Sequence, residues 1–394
     1  MPGYSTPRTW LSNPTLNAPA RFRAACRYAS FTPEPLATLN VSLSAQLAGL
    51  VSEAERELRE LNDRGGPALD PLARLLLRTE SIASSKIEGL QLGVRELARA
   101  EVKLESGASA GPTARDVLAN IEAMTLALKD ATASARFDEA DLLAIHRRLL
   151  ERGVQKRIAG VIRTSQNWIG GNDYNPCDAD FVPPPPEEVP GLLADLFDAI
   201  ADETLPPLVQ AALVHAQFET IHPFADGNGR TGRALVHVVL RRRGVAPRFI
   251  PPISVAFARA PGRYIAGLTA FRADGVAEWI EQFATAMIEA ARTAQQYLRD
   301  VQALQEEWRE RLRASGKAPR ADATAWEIIN LMPAHPVISA TAVSAGTGRS
   351  TSSIYEAIDL LVDAGVLIPT SQGKRRRAWE GAGLLDLIER AEEA

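Results

Sequence analysis

The sequence has little cysteine and no long apolar run. Its 394 residues include two cysteines, Cys26 and Cys177. A single pair cannot form the multi-bridge framework of small secreted domains, and neither residue belongs to a Cys-x-x-Cys metal or redox motif. No apolar stretch approaches the ~18 residues that a membrane span needs, and residues 1–20 lack the apolar segment of a signal peptide. The sequence therefore predicts a cytoplasmic protein that makes no membrane contact.

A large excess of one charge is also missing. The chain carries 44 Lys and Arg residues against 48 Asp and Glu residues, a net charge of −4. The chain as a whole is therefore no general binder of polyanions, and any contact with nucleic acid has to be local. Hydrophobic residues make up 46% of the chain, which is typical of a globular protein.

Helical periodicity dominates the chain and predicts an all-α fold. Apolar residues recur at three- and four-residue spacing from about residue 42 onward. Residues 1–36, rich in Pro, Ser and aromatic side chains, are predicted to form an irregular arm. Between residues 153 and 190, the Gly, Asn and Pro content predicts a long loop or a short hairpin. A linker is predicted at residues 314–321. The predicted domains are 1–110, 111–315 and 316–394.

The segment at residues 222–233 concentrates chemically active side chains. Its sequence is His-Pro-Phe-Ala-Asp-Gly-Asn-Gly-Arg-Thr-Gly-Arg. The stretches on either side are apolar on every helical face, which predicts a loop held between two buried helices. Gly227 and Gly229 allow a ligand to approach the main chain closely, and the start of the following helix directs N–H groups at an anion.

The side chains around these glycines fit a polyphosphate. Arg230 and Arg233 lie three residues apart, hence on one helix face, where both can reach a polyphosphate. Asp226 offers an oxygen ligand of the kind that Mg²⁺ prefers. His222 can accept a proton near neutral pH. The segment therefore predicts a phosphate-binding site with a base at its mouth.

A dinucleotide-binding fingerprint, Gly-x-Gly-x-x-Gly, overlaps this segment at Gly227, Gly229 and Gly232. That fingerprint needs a preceding strand and an acidic residue about 20 positions later. A helix is predicted before it, and residues 249–253 contain no acid. We therefore reject the dinucleotide interpretation. The chain also lacks the Gly-x-x-x-x-Gly-Lys-Ser/Thr motif of P-loop proteins.

The segment matches every fixed position of the signature His-Pro-Phe-x-Asp/Glu-Gly-Asn-Gly-Arg-x-x-Arg, and so resembles the Fic family. The similarity extends to residues 160–171 and 181–186 and covers most of residues 30–290. It implies a Fic-type helical bundle with a short β-hairpin flap. It also implies a protein adenylyltransferase, which transfers AMP from ATP to a Ser, Thr or Tyr hydroxyl of a protein target and releases pyrophosphate.

The resemblance assigns roles to seven residues of the signature. His222 becomes the base that accepts the proton of the target hydroxyl. Asp226 holds Mg²⁺ between the α- and β-phosphates, and Arg233 binds the γ-phosphate. The implied phosphate-binding residues are Gly227, Asn228, Gly229, Arg230 and Arg233. The target protein is not readable from the sequence, and the chain itself is one candidate.

A second segment, residues 84–89, closes a predicted helix with Glu88 in its last turn. A negative charge there opposes the helix dipole, and from the residues alone an exposed helix-end glutamate is the ordinary interpretation. The segment nevertheless resembles the family's inhibitory motif at Ser84, Glu88 and Gly89. The resemblance implies that Glu88 pairs with Arg233 and denies it to the γ-phosphate. Whether the chain also removes AMP is left open.

Residues 178–182, named the flap below, are predicted to hold a target strand by main-chain hydrogen bonds. The alternative is a solvated crossover loop. By the resemblance, the flap residues are Asp178, Asp180, Phe181 and Val182.

Residues 322–380 resemble a winged helix-turn-helix, which gives the chain the family's three-part organisation. Its predicted wing tip, residues 373–377, is basic and suits contact with DNA phosphates. Acidic residues on the predicted recognition helix weigh against DNA and leave protein contact or a homodimer as the alternative. They are Glu356, Asp359 and Asp363.

Two competing functions remain. One is a transcriptional regulator that senses nucleotide through its Fic core and acts through the winged helix. The other is a toxin-like transferase that uses UTP or GTP. The intact His222 favours an enzyme, because nucleotide sensing needs no base.

Overall fold

The computed structural model describes residues 3–63, 70–105, 107–130, 133–316, 319–320, 323–370 and 377–393. Helices dominate these residues, which confirms the prediction of a mostly helical protein. The helices are α1 (Ala45–Asp63), α2 (Asp70–Ile87), α3 (Val94–Glu105), α4 (Pro112–Asp130), α5 (Glu139–Leu150), α6 (Val189–Ala201), α7 (Pro207–Ile221), α8 (Asn228–Arg242), α9 (Ile253–Arg259), α10 (Pro261–Arg272), α11 (Val276–Ala314), α12 (Thr324–Leu331), α13 (Ala340–Thr347), α14 (Thr351–Asp363) and α15 (Leu384–Glu393). The strands are β1 (Gly3–Trp10), β2 (Cys26–Pro33), β3 (Val337–Ser339), β4 (Leu367–Pro369) and β5 (Ala378–Gly381).

The chain divides into two compact units. The first contains Met1–Glu55, Leu126–Val245 and Ala260–Thr285. The second contains Arg56–Thr125, Ala246–Arg259 and Ala286–Ala394. The domain boundaries predicted near residues 110 and 315 stay predictions. Among the described helices, none combines the length and the apolar character that crossing a membrane requires.

Helices α7 and α8 form the centre of the first unit. Every residue of α7 from Leu208 to Ile221 is buried, as the all-round apolar sequence predicts. The two helices pack closely where Gly232 of α8 faces α7, because a Cβ at that position would lie 2.9 Å from the Phe218 ring. The third glycine of the rejected fingerprint therefore serves helix packing. The loop between α7 and α8 is held at both ends by buried structure.

The predicted irregular arm at residues 1–36 is wrong. β1 and β2 form an antiparallel sheet in which Gly3 lies opposite Pro33 and Trp10 lies opposite Cys26. The sheet has only two strands, and β1 is an edge that tolerates Pro7. Because the strands are short and contain prolines, the alternation of apolar and polar residues that would predict them is hard to recognise in the sequence.

A disulfide joins Cys26 to Cys177, with the two Cα atoms 5.9 Å apart and 151 positions between them in sequence. Cysteine spacing alone does not predict this pairing. Disulfides are common in oxidising compartments and rare in the cytosol. The cytoplasmic location therefore stays a prediction.

The C-terminal part of the second unit combines four helices, α12 to α15, with a small sheet. The three strands lie in the order β3-β5-β4 and all pairs are antiparallel. Residues 371–376, which include most of the predicted wing tip, lie outside the described residues.

Candidate active site

His222 follows the last residue of α7 and has a left-handed backbone, with φ of 49°. Its N–H donates to the Phe218 carbonyl at 2.9 Å, which closes the helix. This conformation is uncommon for a residue other than glycine and is kept only where the surroundings impose it. His222 starts the loop that leads to α8.

The imidazole of His222 is half-buried, and its Nδ1 has no hydrogen-bond partner among the described residues. Burial, followed by the positive charges of Arg272 and Arg163, lowers its pKa to about 3. The ring is therefore neutral at pH 7 and can accept a proton. A negative charge close to the ring would raise this pKa.

Asn228, the first residue of α8, fastens the loop. Its Oδ1 accepts the Phe224 N–H at 2.9 Å, and its Nδ2 donates to the Phe224 carbonyl at 2.8 Å. The side chain is 2% exposed. The two bonds fix the Asn228 side chain against Phe224, and its main-chain N–H lies in the first turn of α8.

Gly227 is the N-cap of α8 and has φ of 79°. Its carbonyl accepts the Thr231 N–H at 3.1 Å, which is the first bond of the helix. The N–H groups of residues 228–230 belong to the first turn and have no partner inside the helix. Together with the helix dipole, they make this end of α8 suitable for an anion.

Asp226 precedes this turn and is half-buried. Its Oδ1 accepts the Gly227 N–H at 2.6 Å, so Oδ2 is the oxygen that faces other partners. Among the described residues, no three His, Cys, Asp or Glu side chains form a metal-binding group. A single carboxylate still fits Mg²⁺, because that ion commonly takes its other ligands from phosphates and water.

Arg230 and Arg233 bring two cations to α8. They are 6% and 1% exposed. A buried charge is costly unless an opposite charge or hydrogen-bonding groups meet it. Arg230 lies in the first turn of α8, and Arg233 follows three residues later.

His146 of α5 was missed by the sequence interpretation. Its Nε2 lies 2.9 Å from the Asp226 carbonyl, and its Nδ1 accepts the Gly160 N–H at 3.0 Å. The ring stacks on Phe224 with centroids 3.7 Å apart. Burial lowers the pKa of His146 to about 4, so the ring is neutral and the proton lies on Nε2. A single histidine in a helix carries no pattern that predicts this role.

Asn167 and Arg163 were also missed as parts of the site. Asn167 donates from Nδ2 to the carbonyls of His222 and Phe224, at 3.2 and 2.9 Å. Arg163 donates from Nε to the His222 carbonyl at 2.9 Å. Both residues lie in residues 160–171, whose similarity to the family was the available signal.

The flap is attached at its C-terminal end. Ile169 and Phe181 form an isolated antiparallel bridge, with N–H to carbonyl distances of 2.8 and 3.1 Å. Val182 is buried, and its carbonyl accepts the Phe31 N–H of β2 at 2.9 Å. The predicted hairpin is thus represented by one bridge, and the main chain of Val182 is already engaged.

Asp178 and Asp180 are exposed. They lie against two glycines with left-handed backbones, Gly170 and Gly171, with φ of 75° and 73°. A Cβ at Gly171 would lie 2.5 Å from the Asp178 carbonyl oxygen. The glycines therefore permit the flap to run close beside residues 169–171, while its first part stays open to a partner chain.

Arg272 at the end of α10 contacts both the flap and the last turn of α7. Its guanidinium lies 3.7 Å from the centre of the Phe181 ring, and its Nε donates to Thr220 Oγ1 at 3.3 Å. Burial lowers the pKa of Arg272 to about 10, so it keeps its charge at neutral pH.

The predicted inhibitory segment lies in the second unit, at the end of α2. Ser84 is buried and Glu88 is exposed. Gly89 has φ of 79°, and the Leu90 N–H donates to the Ser85 carbonyl at 3.0 Å, which closes the helix in the usual glycine-dependent way. Glycine at this position therefore has a conformational reason.

Two family models match the chain. The Fic/DOC family model covers residues 136–240, and the Fic/DOC family N-terminal model covers residues 48–129. The first contains the loop between α7 and α8 together with His146, Arg163 and the flap.

Curated relatives match part of the chain. The protein adenylyltransferase fic-1 of Caenorhabditis briggsae is 38% identical over 114 residues, or 28% of this chain and 20% of that protein. The protein adenylyltransferase Fic of Drosophila willistoni is 33% identical over 170 residues, or 41% of this chain and 32% of that protein. The matched region is less than a third of either relative.

Solved structures share the fold. A Fic family protein from Desulfovibrio desulfuricans superposes with a TM-score of 0.52 at 22% identity, over 87% of this chain and 98% of that chain. Fic-1 of Caenorhabditis elegans superposes with a TM-score of 0.50 at 24% identity, over 64% of this chain and 71% of that chain. At these identities the likeness concerns the fold alone. The chain therefore contains a region similar to the Fic/DOC family and a region similar to its N-terminal family, and the first of these carries the complete signature loop.

Proposed function

We propose that the chain is a protein adenylyltransferase that transfers AMP from ATP to a Ser, Thr or Tyr hydroxyl of a protein target. The observation that carries the proposal is a neutral imidazole on a left-handed residue, held beside the open first turn of α8. The signature around it is complete, and the curated relatives that match this region are named protein adenylyltransferases.

In this proposal the triphosphate lies at the start of α8. The N–H groups of residues 228–230 and the guanidinium of Arg230 face the phosphates, and Arg233 takes the γ-phosphate. His222 accepts the proton as the target oxygen attacks the α-phosphorus. The new P–O bond forms while the bond to the β-phosphate oxygen breaks, and pyrophosphate leaves. Such a transfer requires mainly alignment and charge stabilisation, which a buried cationic site supplies.

Asp226 is the residue that we propose for Mg²⁺. The bound ion would neutralise negative charge on the phosphates. His146 supports this role because its hydrogen bond to the Asp226 carbonyl fixes the main chain that carries the carboxylate.

The activity and the nucleotide are tested together. We would incubate the purified chain with ATP, GTP or UTP and Mg²⁺, and search for adducts on hydroxyl side chains by mass spectrometry. An AMP adduct with ATP alone is the expected result. If an adduct formed only with UTP or GTP, that nucleotide would be the substrate in place of ATP. Nucleotide binding without any adduct would favour the nucleotide-sensing regulator.

We further propose that the segment with Ser84, Glu88 and Gly89 restrains the activity by pairing Glu88 with Arg233. Its support is the match to the inhibitory motif and the position of Glu88 directly after α2. Because the pairing withholds one cation from the γ-phosphate, its loss should raise the rate of transfer.

The test is Glu88→Gly. We expect self-modification to rise about 5- to 150-fold, the range of ordinary coupling energies. Labelled ATP followed on gels measures it, with Glu96→Gly of α3 as a control for losing a helical glutamate. Equal labelling of the wild type and Glu88→Gly would contradict the proposed inhibition by Glu88.

For residues 323–393 we propose a winged helix that contacts protein. The order α12, β3, α13, α14, β4, β5 supports the fold. Glu356, Asp359 and Asp363 of α14 are exposed and would repel DNA phosphates. Dimerisation measured by light scattering is the expected behaviour, and salt-sensitive binding to duplex DNA would contradict it.

A further inference from the structure

Arg163 uses its whole guanidinium on main-chain carbonyls. Nε donates to His222 O at 2.9 Å and Nη1 to Ser165 O at 3.2 Å. Nη2 donates to Pro184 O at 2.5 Å and to Ile221 O at 3.3 Å. The side chain is buried, with 5% of the residue exposed. A buried cation with this many carbonyl acceptors is fixed in position, because each movement breaks several bonds.

Two of these acceptors lie at the C-terminal end of α7. Ile221 and His222 present carbonyls there, where the helix dipole is negative and favours a cation. Burial lowers the pKa of Arg163 to about 10, so the charge persists at neutral pH. The main-chain N–H of Arg163 adds a third bond to the same turn, at 2.9 Å to the Pro223 carbonyl. The left-handed conformation of His222 is therefore held from outside its own helix.

The third acceptor, Pro184, lies two residues beyond the flap. The neighbouring Gln166 donates to the Pro183 carbonyl at 2.9 Å, so the same short segment grips two consecutive carbonyls. The planar fork of an arginine fixes the angle between its partners, which a lysine ammonium cannot do. One rigid group thus connects the residue that carries the base with the segment that carries the flap.

We propose that Arg163 is a positioning residue for the transfer step, which holds the His222 main chain and the base of the flap in one frame so that imidazole and target hydroxyl meet. The inference rests on the proposed adenylyltransferase activity. Arg163 has no bond to residues 226–230, the start of the proposed phosphate site. It therefore acts on the rate of transfer and leaves the binding of ATP unchanged.

The chain contains a matched control in the same unit. Arg243 also donates to main-chain carbonyls at the boundary of a helix, with Nη1 3.1 Å from Leu205 O and Nη2 3.2 Å from Glu203 O. These two carbonyls precede α7, and Nη1 also donates to Gln210 Oε1 near the start of α7, at the end opposite to His222. Arg243 is half-buried, and both Arg163→Lys and Arg243→Lys remove guanidinium bonds to main-chain carbonyls, but only Arg163 bonds to the main chain of His222.

The experiment uses the full chain, both as wild type and with Glu88→Gly. We would measure kcat and KM for ATP in self-modification, ATP affinity by calorimetry with Mg²⁺, and hydrogen exchange of peptides covering 164–186 and 218–225. A displacement of about 1 Å can lower a rate about 100-fold, so we expect that loss of kcat in Arg163→Lys with ATP affinity within about twofold. Faster exchange in both peptides should accompany it. Arg243→Lys should keep kcat.

Several results overturn the inference. Arg163→Lys with the parent's kcat contradicts it, and so does an equal loss of kcat and ATP affinity. A similar loss of kcat in Arg243→Lys would assign the effect to general destabilisation. A parent chain that transfers no nucleotide refutes the proposed function, and with it the inference. Failure of the proposed function therefore shows in the parent chain. Failure of the inference about Arg163 shows only in the Arg163→Lys and Arg243→Lys variants.

Discussion

The loop between α7 and α8 and the flap are built in opposite ways. In the loop, three side chains from two other segments hold the main chain: His146 of α5 bonds Asp226, and Asn167 and Arg163 of residues 160–171 bond His222. The flap is held through its main chain: Asp180 and Phe181 donate to the Ile169 carbonyl, Phe181 accepts from Ile169, and Val182 accepts from Phe31, while the Asp178 and Asp180 carboxylates are exposed. Under the proposed function, a phosphate site requires groups fixed in advance, whereas the exposed Asp178 end of the flap is the part available to a polypeptide.

The largest expected effect concerns the loop between α7 and α8 and its residue His222. His222→Ala should abolish measurable transfer, because general-base catalysis contributes about 10²- to 10⁴-fold. ATP affinity should persist, since the phosphates face α8. Mass spectrometry of adducts and calorimetry with ATP measure the two quantities. His222→Asn is the control for backbone strain, because Asn tolerates the left-handed conformation and also lacks a base. Transfer by both variants at close to the wild-type rate would exclude His222 as the base.

The second prediction concerns the disulfide between Cys26 and Cys177, which lies next to the flap in sequence. Cys177→Ser should lower the free energy of unfolding by about 2–5 kcal/mol, because the disulfide closes a long loop in the unfolded chain. Thermal unfolding with and without a dithiol measures it. The dithiol should destabilise the wild type and leave Cys177→Ser unchanged. Equal melting of all four samples would mean that the bond contributes nothing.

Acid should weaken the first unit through its histidines. The pKa values of His146, His215 and His222 lie at about 4, 3 and 3, below the unfolded value near 6.5. Burial is the main cause in each case. Between these limits the unfolded chain binds more protons, so stability is lost as pH falls from about 6.5 to about 4. The loss is up to about 1.4 kcal/mol per pH unit for each histidine. Chemical unfolding at a series of pH values checks it, and a flat profile would contradict the neutral state of these rings.

The smallest effect concerns the flap itself. Phe181→Ala removes the ring under Arg272, a contact of about 0.5–2 kcal/mol. We expect weaker modification of a target with little change in ATP affinity, and Phe181→Leu should restore only the apolar part. If target modification and ATP affinity fell together, the flap would support the phosphate site as well.

The helices around the site were predictable in detail. The two buried helices expected on either side of the signature loop are α7 (Pro207–Ile221) and α8 (Asn228–Arg242). Their apolar residues continue around the whole helix, and the glycines between them can only form a loop. The β1–β2 sheet escaped, because a two-stranded sheet with prolines shows neither periodicity clearly.

The sequence by itself determined the mostly helical fold and the position of the signature loop, since both depend on neighbouring residues. It also supplied the chemical types for a phosphate site, whose roles stay proposals. Only the tertiary structure decided what holds the loop: the partners of Arg163 and His146 lie 59 and 80 positions away. These partners are main-chain carbonyls, which every residue carries. No side-chain pattern can therefore announce such bonds before the chain has folded.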